Sequence, residues 1–303
     1  MLKRFEHNGL TWVDLESPTR DEVVKTAAEF SLEASVAEEL LLPSAKPRAE
    51  FHDGHLLVVM HFPAIRHSHV SKAQEVDFVI GGTFIITAHY DPVDPLHKFS
   101  KVFEVNSVLG KSEIGEHAGH LFFSMLKKLY RSVEHELENV HSELDHIEEH
   151  IFSGEEVRMV AAISRASRDL MNLRQTIEPH RDLLEEIQES GPQFFGQDFA
   201  PYLKRLTNEY YRVHSHIMRS IESARELRKT NDSLLTTKQN ETMKVLTMMS
   251  FFTFPLALLV AILGLDVVGN PVRTLHDAFW VIAAIVVGVA GFMFWFFKRQ
   301  NWL

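Results

Sequence analysis

Two stretches near the C-terminus limit this chain more than anything else in it. Residues 245–265 read VLTMMSFFTFPLALLVAILGL, 21 residues without a charge, and residues 278–297 read AFWVIAAIVVGVAGFMFWFF, 20 residues without a charge. At about 1.5 Å rise per residue each makes a helix of roughly 30 Å, the thickness of a bilayer's hydrocarbon core. A helix buried in a soluble core seldom runs so far without a polar face. Both are predicted membrane spans, and the chain is expected to be a multi-pass membrane protein with lipid as one partner.

Flanking charge sets the expected orientation. Lys238 and Lys244 precede the first span, Lys298 and Arg299 follow the second, and Arg273 is the one basic residue in the short connection. Cytoplasmic flanks carry the excess of Lys and Arg, so both termini are expected on the cytoplasmic side of an inner (plasma) membrane. Trp280, Trp295 and Trp302 fall where amphipathic rings favour the membrane interface. The opening Met1–His7 is charged and no apolar run follows it, so no secretory signal is expected.

The rest of the chain has an ordinary globular balance, 24% charged and 45% apolar, and is expected to fold in water. With no cysteine there is neither a disulfide framework nor a thiolate metal site, and any metal must be met by oxygen or imidazole. Forty-one acidic against 31 basic residues, a net charge of −10, argues against a nucleic-acid partner and suits a cation. No Gly-rich phosphate loop, Gly-x-Ser-x-Gly or His-Glu-x-x-His is present, so the chain is not expected to be an enzyme or an ATP-driven pump.

Three regions are expected. Residues 1–110 carry strand and turn signals. Leu10–Leu15 is one strand candidate, and Ser17-Pro18-Thr19 caps a helix opening near Arg20. His55–His61, Glu75–Ile80 and Thr83–Ala88 are further strands, the last two a hairpin about Gly81-Gly82, which together make a small α/β domain. Residues 111–240 read as long helices. Leu126, Leu129, Val133, Leu137, Val140, Leu144 and Ile147 recur at steps of three and four on one face. A break at Ser153-Gly154, an interruption at Pro179 and a polar stretch over 191–197 divide the region, and the last helix is expected to run on into the first span. Residues 241–303 form the transmembrane domain. The fold class is thus an α+β soluble domain whose long helices continue into a two-helix membrane domain.

Two helices cannot enclose a water-filled path, so transport would require several copies around an axis in a closed symmetric assembly. On the first span Met243, Leu246, Thr247, Ser250, Phe254, Ala257 and Ala261 recur at steps of three and four and end near Gly264. This stripe is the expected pore lining. Thr247 and Ser250 offer hydroxyl oxygens suited to hard cations, and Met243, Leu246 and Phe254 form apolar constrictions able to gate by dewetting. Pro255 removes one backbone donor and is expected to bend the helix. In the soluble part, Glu134, Glu136, Glu138, Glu143, Asp145, Glu148 and Glu149 crowd one helix, and His146 and His150 stand four apart at a spacing that zinc can bridge.

The segment Asn240-Glu241-Thr242-Met243-Lys244-Val245-Leu246-Thr247, then Phe254-Pro255-Leu256 and Gly264-Leu265-Asp266, is similar to the signature of the CorA family of metal-cation transporters. Trp12-Val13-Asp14-Leu15, Phe84-Ile85-Ile86-Thr87, Pro179-His180-Arg181 and the Lys298–Leu303 ending fall where such proteins have comparable segments. The family's Gly-Met-Asn appears here as Gly264-Leu265-Asp266, and the loop from Gly264 to Pro271 also looks like that of the ZntB branch, which is associated with zinc.

The resemblance implies a homopentameric funnel that carries divalent cations (Mg, Co, Ni or Zn), with Gly264, Leu265 and Asp266 as its selectivity motif. It also implies cytoplasmic ion binding between subunits that regulates opening. The cation is then a transported or regulatory ion, and no cofactor is expected. Asp266 is the expected metal residue: a ring of carboxylates would concentrate cations, while its members raise one another's pKa. The changed motif leaves open a second reading, a membrane-anchored regulatory or structural oligomer that keeps the fold without transport.

Overall fold

The computed structural model describes residues 1–64, 73–109, 117–265 and 278–299. It divides into two compact units, Met1–Lys229 and Thr230–Leu303.

The first unit is built on a six-stranded sheet of order β1-β2-β6-β5-β4-β3, comprising β1 Leu2–His7, β2 Leu10–Glu16, β3 Arg48–His52, β4 His55–Phe62, β5 Gln74–Ile80 and β6 Phe84–His89. Only β2 and β6 run parallel; the remaining neighbours are antiparallel. Every residue of β5 is buried, and all of β4 but His61, because helices cover both faces of the sheet. On one face α1 (Arg20–Phe30) and α2 (Ala34–Glu39) lay Val23, Val36 and Leu40 over Val13, Leu57, Val79 and Ile86. The expected cap is present. The Thr19 side chain accepts from the Glu22 amide at 3.3 Å, and the Glu22 carboxylate accepts from the Thr19 amide at 2.9 Å.

The opposite face is aromatic. Trp12 meets Phe99 and Phe103 of α3 (Asp94–Leu109), each with ring centroids 5.7 Å away, and Phe78 meets Phe122 of α4 (Ala118–Phe152) at 5.3 Å. Trp12 Nε1 donates to Thr87 Oγ1 at 2.9 Å, and Thr87 donates to Asp14 Oδ1 at 2.6 Å. His89 Nε2 lies 3.3 Å from the same oxygen while its Nδ1 donates to the Asp91 carbonyl at 2.7 Å. Burial works against both charges, but the contacts with His89 and Thr87 leave the Asp14 carboxyl below its usual range. The contacts with Asp14 and the Asp91 carbonyl likewise leave His89 above its own.

All seven apolar residues expected on one face of α4 are buried. They pack with α5 (Glu156–Ile177), α6 (His180–Phe195) and the first part of α7 (Ala200–Leu263), which buries Leu203, Leu206, Tyr210, Val213 and Ile217. His180 is fully buried where α6 begins. Its Nε2 donates to the His61 carbonyl at 2.8 Å, its Nδ1 lies 3.0 Å from the Tyr130 hydroxyl, and burial pushes its pKa down to about 3. The division expected over 191–197 is narrower than that stretch: α6 continues through Gly191 and Pro192 to Phe195, and the break falls at Gly196, ahead of a short turn at Gln197–Phe199 and α7. Gly191 is buried, and a Cβ on it would lie 2.6 Å from Leu203 Cδ1, so close approach to α7 settles what local propensity left open.

Among the described residues, the last part of α7 and α8 (Ala278–Arg299), both in the second unit, are the two helices long and apolar enough to cross a membrane. Pro255 lies within α7 without ending it.

Candidate functional site

The first predicted span and α8 form a pair. Phe252, near the start of that span, meets Phe297, near the end of α8, with ring centroids 5.1 Å apart, and Phe251 lies 6.5 Å from the same ring. The half-buried residues between 244 and 263 are Met248, Phe252, Leu256, Leu259 and Leu263. They recur at steps of four, four, three and four, so they mark a single face of the helix. This is the face that α8 covers.

The predicted lining stands opposite. At 3.6 residues per turn, the directions of Met243, Leu246, Thr247, Ser250, Phe254, Ala257 and Ala261 centre about 180° around the helix from the covered face. All seven are exposed, Phe254 at 71% and Met243 at 60%. The stripe is therefore turned as far as the helix allows from its partner within the chain. Apolar periodicity alone could not reveal the covered face, since the segment is apolar all round.

Ser250 has a definite polarity. Its hydroxyl donates to the Leu246 carbonyl at 2.9 Å, so its hydrogen is committed to the helix and the oxygen presents lone pairs outward. Thr253, at the edge of the stripe, does the same to Met249 at 2.9 Å. At the far end, Gly264 donates to the Val260 carbonyl at 2.9 Å, and a Cβ there would stand 3.0 Å from that oxygen. Leu265 is the last residue described before the connection. Asp266, the predicted metal-contacting residue, lies outside the described residues, as do residues 267–271, Arg273 and Trp302. Beyond the apolar run of α8, the Arg299 guanidinium lies 5.5 Å from the Trp295 ring centre.

The acidic helix contributes less. His146 and His150 have ring centroids 4.0 Å apart, but His150 Nδ1 is taken by the His146 carbonyl at 2.8 Å. Among the described residues no group of three or more His, Asp or Glu side chains is placed to hold a metal ion.

Comparison with known proteins gives a consistent picture. Residues 7–299 match the family model described as CorA-like Mg2+ transporter protein. The cobalt/magnesium transport protein CorA of Thermotoga maritima is 23% identical over 97% of this chain and 83% of its own length. The complete structure of the CorA magnesium transporter from Methanocaldococcus jannaschii superposes with a TM-score of 0.84 at 19% identity, covering 99% of this chain and 93% of that one. The ZntB cytoplasmic domain from Vibrio parahaemolyticus superposes with a TM-score of 0.63 at 9% identity, covering 77% of this chain and 90% of that one.

Proposed function

The chain belongs to the CorA family, and from that membership we propose that it carries divalent metal cations across a membrane through a passage shared by several copies. Five copies surround the axis, each contributing the stripe from Met243 to Ala261. The observation that carries this reading is the opposition of faces on α7. One face is occupied by α8, and the face turned away from it holds the small and hydroxyl-bearing residues that a hydrated ion tolerates.

Within that passage Met243, Leu246 and Phe254 form apolar rings that close by dewetting, and Thr247 and Ser250 offer oxygen between them. Ala257, Ala261 and Gly264 leave width. Gly264, Leu265 and Asp266 form the outer mouth, where the Asp266 carboxylates gather cations from solution. Residues 1–240, as an α/β domain to about 110 and a helical domain beyond it, stand on the cytoplasmic side with both termini, and residues 241–303 hold the two spans. The cation's own electrochemical gradient supplies the driving force.

Purified protein in liposomes tests this. Mg2+, Co2+, Ni2+ or Zn2+ should enter the vesicles, and Asp266→Ala should lower the flux of whichever ion passes. Vesicles tight to all four ions would return the chain to the reading of a membrane-anchored oligomer without transport. A solitary subunit in the bilayer would remove the shared passage altogether.

A further inference from the structure

The sheet face beneath α1 and α2 is apolar at its centre and acidic at one end. On β5, Val79, Asp77 and Glu75 fall on that face, because residues two apart on a strand point the same way. Val79 joins the apolar cluster under Val23, Val36 and Leu40, while Asp77 is 1% and Glu75 7% exposed. The register sets Val59 and Ala88 beside Asp77, and His61 beside Glu75. Two carboxylates thus share one buried strand face.

Their partners are unequal. Both Glu75 oxygens accept from the Ser44 amide, each at 2.8 Å, and His61 Nε2 lies 3.1 Å from Glu75 Oε2. Asp77 has one long contact, from the Tyr90 hydroxyl to Oδ2 at 3.4 Å, and that hydroxyl is shared with the Glu39 carbonyl at 3.2 Å. Asp77 Oδ1 is buried without a hydrogen-bond partner. Two ionised carboxylates side by side away from water repel, and an unpaired buried oxygen is rare. One proton removes both faults. Glu75, with its donors, keeps the charge, while Asp77 takes the proton and gains a hydrogen to donate to the Glu75 carboxylate next to it.

The pair lies under a short covering segment, residues 39–44, which is fastened to these same groups. Tyr90 reaches the Glu39 carbonyl, Glu75 holds the Ser44 amide, and His61 Nε2 lies 3.1 Å from the Ser44 carbonyl. Ser44 Oγ and the Arg48 guanidinium both reach the Glu39 carboxylate, at 3.1 and 2.5 Å. From above, α1 buries only Val23 and Thr26. The titratable or charged groups around Asp77, among the described residues, are therefore Glu75, His61, Tyr90, Glu39 and Arg48.

We propose that Asp77 and Glu75 form a shared-proton site that latches residues 39–44: with the proton bound the segment lies closed over the pair, and loss of the proton favours an open segment that admits water to both carboxylates. A hydrogen-bonded ladder on either side holds β5, whereas a handful of contacts holds the segment, so the segment gives way first. The closed form keeps Asp77 protonated up to about pH 8, and the open form, with Asp77 in water, releases the proton near its ordinary value of 3.8. Between those limits opening releases a proton, so the opening constant rises by up to about tenfold per pH unit and then levels off. The latch lies within the first unit and works whether or not the second conducts ions.

Hydrogen exchange of the full-length protein in detergent tests this, read by mass spectrometry on peptides covering 36–46 and corrected for the intrinsic pH dependence of exchange. Between pH 6 and 8 the protection of the segment should fall about 10–100-fold in wild type, and at each pH it should stay well below that of β4. Asp77→Asn should hold the segment's protection constant across the range. Glu75→Gln, which takes away the neighbouring charge and keeps an acceptor for Ser44, should move the levelling-off to a lower pH. Wild-type protection that does not change with pH would overturn the proposal. So would an equal fall in Asp77→Asn, a levelling-off unmoved in Glu75→Gln, or exchange of the segment in step with β4, which would mean that it opens only when the whole unit unfolds.

Discussion

Trp12 in the first unit and Phe254 in the second are both large aromatic residues on regular elements, and their settings are opposite. Trp12 is fully buried, ringed by Phe5, Phe99 and Phe103, with its indole nitrogen bonded to Thr87. Phe254 is 71% exposed and faces away from α8. The first unit meets most of the demands of its side chains within one chain: apolar residues find each other, and buried polar groups such as Asp14 and His180 find partners, with Asp77 among the exceptions. The second unit leaves most of its apolar surface outside, far beyond what a soluble monomer tolerates. Its sequence is written for surroundings that one chain does not supply, namely lipid and further copies.

The sharpest way to break this comparison is to empty the first unit's aromatic core. Trp12→Ala should cost about 3–5 kcal/mol, the range for deleting a large buried aromatic, and lower the thermal transition of that unit by roughly 10 °C. Circular dichroism of the purified protein measures it. A loss below about 1 kcal/mol would mean that the face is far looser than its ring distances imply. Next comes Thr87→Val, which removes the donor to Asp14 and the acceptor for Trp12 while keeping the shape. It should cost about 1–3 kcal/mol by leaving buried polar groups unpaired.

A third variant works in the opposite direction. Asp77 is 1% exposed, and its Oδ1 has no hydrogen-bond partner. Burial, and then the neighbouring Glu75 carboxylate, push its pKa up to about 8. Below its ordinary value of 3.8, folded and unfolded chains both carry the proton and Asp77 costs nothing. Between there and pH 8 the folded chain holds the proton more tightly, so stability falls as pH rises, and it levels off above. Asp77→Asn should remove that slope. The variant should match wild type near pH 4 and melt well above it at pH 9, by a gain on the order of several kcal/mol. A wild-type melting curve flat from pH 5 to 8 would refute the assignment.

The two units also differ in how far they could be read beforehand. β4, β5, β6, α1 and the inner face of α4 were legible because period, turn residues and caps agree at each. β1 and β3 escape a reading by period, since LKRFEH and RAEFH are short, charged edge strands; their pairing with the next strand rests on the two-residue turns Asn8-Gly9 and Asp53-Gly54. The stripe on α7 could be seen in the recurrence of small and hydroxyl residues. The face against α8 could not, because every position there is apolar.

Phe254→Ala is expected to do least to the fold and most to distinguish the two units. In the first unit, removing an aromatic opens a cavity. At Phe254 the protomer loses no enclosed contact, so the thermal transition of the first unit should move by less than about 0.5 kcal/mol, as for exposed substitutions elsewhere. If the stripe lines a shared passage, the same change widens an apolar ring and weakens its dewetting barrier, so cation flux into liposomes should rise several-fold. Unchanged stability with raised flux would place Phe254 where copies meet around water. Unchanged flux would indicate a ring turned to lipid, and a loss of stability like that of Trp12→Ala would erase the distinction between the units.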